Sequence, residues 1–134
     1  QKLWGTYDVP CYVRNLFNLP VVSYSGELDK QMQAARVMEE AFSAEGEKLT
    51  HLIGPGMGHK YHPDTLKEIL RRMKDARDDG LNANPDHVEL QTRTLRYNKM
   101  HWVEVMGLAE HWADSRVSAR RIDDNALELR TTGV

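Results

Sequence analysis

An acidic residue and a histidine each follow an apolar, strand-like stretch in the first half of this chain. Asp29 comes shortly after the run PVVSY, and His59 comes after the run KLTHLI and a glycine-rich loop, GPGMG. A carboxylate that accepts a hydrogen bond from Nδ1 of an imidazole fixes the tautomer of the ring. It also stabilises the imidazolium that forms when the ring takes up a proton. Asp29 and His59 are therefore the candidate acid and general base of a catalytic site.

The elements between these two residues are expected to bring them to one edge of a sheet. A helix with an apolar stripe that includes Ala35, Met38 and Phe42 separates the two strands. Strand, helix and strand in this order predict a parallel pair, and the loops that follow parallel strands open at the same edge. The alternative for Asp29 is a structural role as the N-cap of the helix.

Two segments carry a resemblance to a known family. The segment LPVVSYSGELD resembles the acid-bearing turn of the α/β-hydrolase fold, and IGPGMGHKYHP resembles its histidine loop, in a version similar to the prolyl oligopeptidase family of serine hydrolases. In that superfamily the nucleophile, the acid and the histidine follow one another along the chain. The resemblance implies that Asp29 is the acid, that His59 is the base, and that a peptide or ester is the substrate. His62 and Tyr61 are the candidates for the substrate side.

The nucleophile of that family has no counterpart in this sequence. The elbow Gly-x-Ser-x-Gly does not occur, and Cys11 lies in VPCYV, which is no elbow. The serines that lack the two flanking glycines are Ser23, Ser25, Ser43, Ser115 and Ser118. The chain is thus predicted to be a fragment, the C-terminal part of a hydrolase, and to be inactive alone because nothing in it can form an acyl-enzyme.

The second half of the chain changes character. A helix is predicted from Pro63 to Asp78, followed by the polar stretch LNANPD. From Val88 the pattern alternates, which predicts strands at 88–94, 101–106, 116–122 and 126–132, with a hairpin turn at 123–125. The expected fold is α/β, the last parallel strands and helices of an α/β-hydrolase, followed by an antiparallel, sandwich-like β-rich segment.

These patterns also predict the domain boundaries. Residues 1–80 form the hydrolase-like part, residues 81–87 a linker, and residues 88–134 the β-rich segment. Trp102 and Trp112, each preceded by histidine, are expected to pack in the β-rich core, and the alternative is an exposed surface for a sugar or a peptide.

Composition excludes some classes of partner. With 28% charged residues and a net charge of −2, the chain offers no electrostatic reason to bind nucleic acid or an anionic membrane. No apolar run approaches the roughly 20 residues that cross a bilayer. One cysteine excludes an intrachain disulfide and leaves the compartment undetermined.

A metal site and a cofactor are not expected. His59 and His62 spell HxxH, but no nearby cysteine or second acidic motif completes a ligand set.

A second class of function remains open, a non-enzymatic α+β module that binds a partner or associates with itself. In a complete hydrolase, other strands would cover the strand at 21–24 and the apolar faces of both helices. Without them, an unpaired strand edge and apolar patches are exposed. A homo-oligomer is therefore expected.

Overall fold

The chain separates into two units, one of which is discontinuous in sequence. The computed structural model describes residues 4–134, apart from the side chain of residue 6. One unit is Pro20–Leu81, and the other joins the described residues up to Leu19 to Asn82–Val134. Helices and strands are mixed, with a parallel pair in the first unit and antiparallel pairs in the second. Residues 1–3 of the expected hydrolase-like part lie outside the described residues.

The unit Pro20–Leu81 has the order strand, helix, strand, helix. Its elements are β1 (Val22–Gly26), α1 (Met32–Ala44), β2 (Thr50–Gly54) and α2 (Pro63–Asp79). β1 and β2 are parallel, with Val22 beside Thr50 and Gly26 beside Gly54. Ala35 and Phe42 of α1 are buried, as the spacing of the apolar stripe predicts. α2 begins at a proline, whose missing N–H costs nothing in the first turn.

The second unit is built on strands. It contains 3₁₀ helices at Trp4–Thr6, Val9–Asn18 and Leu95–Tyr97, and the strands β3 (His87–Thr92), β4 (Lys99–Met100), β5 (Val103–Glu104), β6 (Ser115–Asp123) and β7 (Ala126–Thr132). β3, β6 and β7 form an antiparallel sheet in the order β3-β6-β7, and β4 and β5 form a hairpin. No helix in residues 4–134 has both the length and the apolar character needed to cross a bilayer.

One face of the three-stranded sheet carries the core of this unit. Val88 and Leu90 of β3 and Val117 and Ala119 of β6 are buried there, together with Val103 from the hairpin. Trp102 packs against this cluster, and its Nε1 donates a hydrogen bond to the carbonyl oxygen of residue 85 at 2.7 Å. Trp102 is thus a packing residue. Trp112 is at the surface.

The prediction of a continuous strand at 101–106 is wrong. His101 has φ +50° and lies with Trp102 in the turn of the short hairpin, because β4 ends at Met100 and β5 begins at Val103. The left-handed conformation of His101 breaks the extended backbone that a continuous strand requires. The described β-rich residues therefore form one three-stranded sheet and a small hairpin rather than two comparable sheets of a sandwich.

Two asparagine side chains close the outer edge of β3. The amide of Asn18 donates to the carbonyl oxygen of Glu89 at 2.7 Å and accepts from its N–H at 2.9 Å. The amide of Asn15 does the same for Gln91, at 2.9 and 2.7 Å. Each amide presents one donor and one acceptor, as a neighbouring strand would. The 3₁₀ helix Val9–Asn18 consequently belongs with the β-rich unit, whereas the sequence placed it in the hydrolase-like part, residues 1–80.

We predict that Asn18→Ala destabilises the β-rich unit by about 1–2 kcal/mol, since two part-buried hydrogen bonds to Glu89 are lost. All three tryptophans, at 4, 102 and 112, lie in this unit. Tryptophan fluorescence during urea unfolding thus reports on it alone. Asn125→Ala, in the exposed turn after β6, is the control and should change stability by less than about 0.5 kcal/mol. Equal effects of the two substitutions would contradict the edge-closing role.

Candidate active site

Asp29 and His59 meet beyond the carboxyl ends of β1 and β2. Nδ1 of His59 lies 2.9 Å from Oδ2 of Asp29. The other carboxylate oxygen, Oδ1, accepts a hydrogen bond from the N–H of Gln31 at 2.8 Å, directly before α1 begins. Asp29 therefore contacts the histidine with one oxygen and the turn before α1 with the other, while Gln31 is the N-cap of the helix.

The ionised carboxylate of Asp29 determines which ring nitrogen of neutral His59 carries the proton. The N–H of Gln31, and then the hydrogen bond to His59, hold the pKa of the Asp29 carboxyl below its ordinary value of 3.8. An ionised carboxylate only accepts hydrogen bonds, so Nδ1 of His59 carries the proton and Nε2 of the neutral ring is the basic atom. The Asp29 side chain is 12% exposed and that of His59 is 78% exposed. The acid is sheltered, while the base is open to solvent.

The histidine loop lies directly against the backbone at the end of β1. A Cβ at Gly26 would overlap the carbonyl oxygens of Gly58 and Met57, so only glycine fits there. The N–H of Leu28 donates to the carbonyl oxygen of Met57 at 2.8 Å, and the N–H of Gly56 donates to Oε2 of Glu27 at 2.7 Å. These contacts join the acid loop to the histidine loop at Gly26 and at the two residues that follow it.

Tyr24 of β1 holds the other end of the histidine loop. Its hydroxyl donates to the carbonyl oxygen of Lys60 at 2.8 Å and accepts from the N–H of His62 at 2.9 Å. The two bonded residues lie on the C-terminal side of His59 in sequence. Tyr24 is thus a positioning residue, which sequence analysis treated only as part of an apolar strand. A tyrosine two residues before the final glycine of a strand was the available signal.

The two substrate-side candidates differ in exposure. Tyr61 is exposed, and its ring stacks at a tilt on Tyr24 with 4.7 Å between centroids. His62 is half-buried at the N-cap of α2, and its Nδ1 is buried with no hydrogen-bond partner among the described residues. Within residues 4–134 no three histidine, cysteine, aspartate or glutamate side chains gather as a metal site.

A second serine, histidine and acid lie together inside the same unit. Nε2 of His51 is 2.9 Å from the hydroxyl of Ser25, and Nδ1 of His51 is 3.2 Å from Oε2 of Glu39, though not aligned for a hydrogen bond. The side chain of His51 is only 2% exposed, although the residue as a whole is half-buried. Glu39 lies between Ala35 and Phe42 on the inner stripe of α1, which was the signal for an acid facing the sheet.

The order of contacts in this second group is that of a catalytic triad, but substrate cannot reach it. Ser25 is 5% exposed and lies inside a strand, without the sharp turn that presents a nucleophile. The group is best explained as a polar link between α1 and the two strands. This group differs from Asp29 and His59 in solvent exposure, because its histidine is buried and His59 is open to solvent.

Comparisons of the chain with models of protein families, with curated proteins and with solved structures found no match.

A substitution at Gly26 tests whether its close approach positions the histidine loop, and a substitution at Gly58 is the control. Gly26→Ala should displace the histidine loop and break the bond between Asp29 and His59, because the new methyl group would overlap the loop backbone. Gly58→Ala should preserve the bond, since a Cβ there meets nothing within 4 Å. The ¹⁵N signals of the His59 ring report the Nδ1–H tautomer in each variant. If Gly26→Ala kept the wild-type ring signals, the contact would not be what positions the loop.

The charge on Asp29 gives a pH dependence of known sign. Its lowered pKa means that the unfolded chain takes up the proton first, so the stabilisation is complete above pH 3.8 and is lost as the pH falls through the lowered pKa. A ¹³C titration should give a midpoint below 3.8 for Asp29. In His59→Ala the midpoint should rise only part of the way to 3.8, because the larger cause, the N–H of Gln31, remains.

His111→Ala, in the β-rich unit, is the control for this titration and should leave the Asp29 midpoint unchanged. A wild-type midpoint at or above 3.8, or one that does not move in His59→Ala, would contradict the assigned hydrogen bonds.

Proposed function

We propose that Asp29 and His59 are the acid and the general base of a serine hydrolase that resembles the prolyl oligopeptidase family and cleaves a peptide or ester bond. The observation that supports this proposal is the 2.9 Å contact between Nδ1 of His59 and Oδ2 of Asp29. The parallel pairing of β1 and β2 supports it further, since both loops follow the carboxyl ends of these strands.

Each residue has a defined step in this reaction. Nε2 of His59 takes the proton of a serine hydroxyl as the oxygen attacks the carbonyl carbon, and Asp29 stabilises the imidazolium that results. The imidazolium then gives the proton from Nε2 to the leaving amine or alcohol. Water repeats the cycle on the acyl-enzyme, with His59 again as base.

The serine itself has to come from outside these 134 residues. Their sequence contains no Gly-x-Ser-x-Gly, and Ser25, which does contact a histidine, is buried. The exposed ring of His59 leaves Nε2 accessible to such a serine. Tyr61, whose ring is exposed beside Tyr24, is the better supported of the two substrate-side candidates. The isolated chain should therefore be inactive.

The proposal predicts the behaviour of the reading frame extended upstream of this chain. That frame should encode a Gly-x-Ser-x-Gly, and a fluorophosphonate, which labels only an activated serine, should label the extended protein but not the 134-residue chain. His59→Ala and Asp29→Asn should each slow labelling and hydrolysis of an ester substrate by about 10³–10⁴-fold. His111→Ala should leave both rates within twofold.

Three results would refute the proposal. They are an extended frame without the serine motif, a labelled serine whose rate is unaffected by changes at Asp29 and His59, and hydrolysis by the isolated chain that survives His59→Ala.

A further inference from the structure

The sheet of the β-rich unit has one closed edge and one open edge. The edge at β3 is closed by the amides of Asn15 and Asn18. β7 pairs with β6 on one side, and on its other side no strand of the described chain pairs with it. Unpaired N–H and carbonyl groups on an edge strand are a template for adding another strand.

β7 is also complementary to itself. Leu127, Leu129 and Thr131 lie on the face of the sheet that carries the core, since Leu129 pairs with Ala119 and Thr131 with Val117. Glu128 and Arg130 lie on the opposite face. They form an ion pair within the strand, with Nη2 of Arg130 2.7 Å from Oε1 of Glu128. The charges are placed symmetrically about Leu129.

We infer that β7 pairs antiparallel with β7 of a second copy of this chain, about a two-fold axis at Leu129. In that register Glu128 of each copy lies across from Arg130 of the other, so two pairs of opposite charge form. On the core face, Leu129 meets its own counterpart and Leu127 meets Thr131. Opposite charges placed directly across two strands are stabilising, and like charges are destabilising.

Neighbouring registers lose this complementarity. An axis at Glu128 places two glutamates face to face, and an axis at Arg130 does the same with two arginines. A register shifted by one residue would place the leucine face of one copy beside the charged face of the other, and no two-fold axis relates such a pair. Of these registers, only the one at Leu129 satisfies both faces of the strand.

The apolar side supplies surface that this pairing would cover. Leu127 and Leu129 are 57% and 58% exposed. They border an open cavity of about 520 Å³ that is also lined by Trp102, Val105 and Val134. A second β7 brings another pair of leucines to this side, and the two three-stranded sheets become one of six strands. This inference does not depend on the role proposed for Asp29 and His59.

Charge reversal tests the register. The wild-type chain should sediment as a dimer at tens of micromolar. Glu128→Arg and Arg130→Glu should each be monomeric there, with dissociation constants raised at least tenfold, because each places two pairs of like charge across the axis. An equimolar mixture of the two variants should recover dimers, since arginines of one chain then face glutamates of the other. The double variant Glu128→Arg, Arg130→Glu should also dimerise.

The mixture is also the control for misfolding, because a variant that failed to fold could not form dimers with the other. Lys74→Glu on α2 is the control for net charge and should dimerise like the wild type. A wild-type chain that stays monomeric to several hundred micromolar would overturn the inference. So would single variants that dimerise as tightly as the wild type, which would place the interface elsewhere, or a mixture no more associated than its components.

Discussion

The contact between the histidine loop and the backbone of Gly26 is the constraint on which the candidate site depends. At this point the carbonyl oxygens of Met57 and Gly58 occupy the space that any side chain would need. The bond from Leu28 to Met57 and the two bonds of the Tyr24 hydroxyl fix the loop on either side of the contact. An exposed histidine such as His59 has few packing contacts of its own, so its orientation has to be imposed by the loop that carries it.

Asp29 illustrates how one carboxylate serves two structural needs. Its bond to the N–H of Gln31 lies within its own loop, and this bond is the larger cause of its lowered pKa. The orientation of Asp29 is thus fixed by its own loop as well as by His59. The N-cap position that the sequence offered for Asp29 belongs to Gln31, with no side-chain capping bond. Asp29 instead closes the turn before the helix with one oxygen and contacts His59 with the other, because a carboxylate has two oxygens.

His51 and His59 lie in the same unit but differ in the exposure of their side chains. His51 contacts a serine and approaches an acid, but its side chain is buried between α1 and the strands. His59 contacts only an acid among the described residues, but its ring is open. The first arrangement links α1 to the strands, and the second leaves the imidazole open to solvent. A catalytic assignment based only on which residues contact one another would have chosen the buried serine.

The sequence by itself determined the local elements of the unit Pro20–Leu81 and one long-range pairing. Apolar periodicity located both helices and the strands at Val22–Gly26 and Thr50–Gly54, because these patterns reflect which face of each element is buried. It also indicated that Asp29 and His59 would meet, since loops after parallel strands share an edge. Only the tertiary structure decided the rest. The turn at His101, the asparagine amides along β3, the hydroxyl of Tyr24 and the burial of His51 all depend on backbone groups or neighbours distant in sequence. Such contacts leave no period in the chain, so no local pattern predicts them.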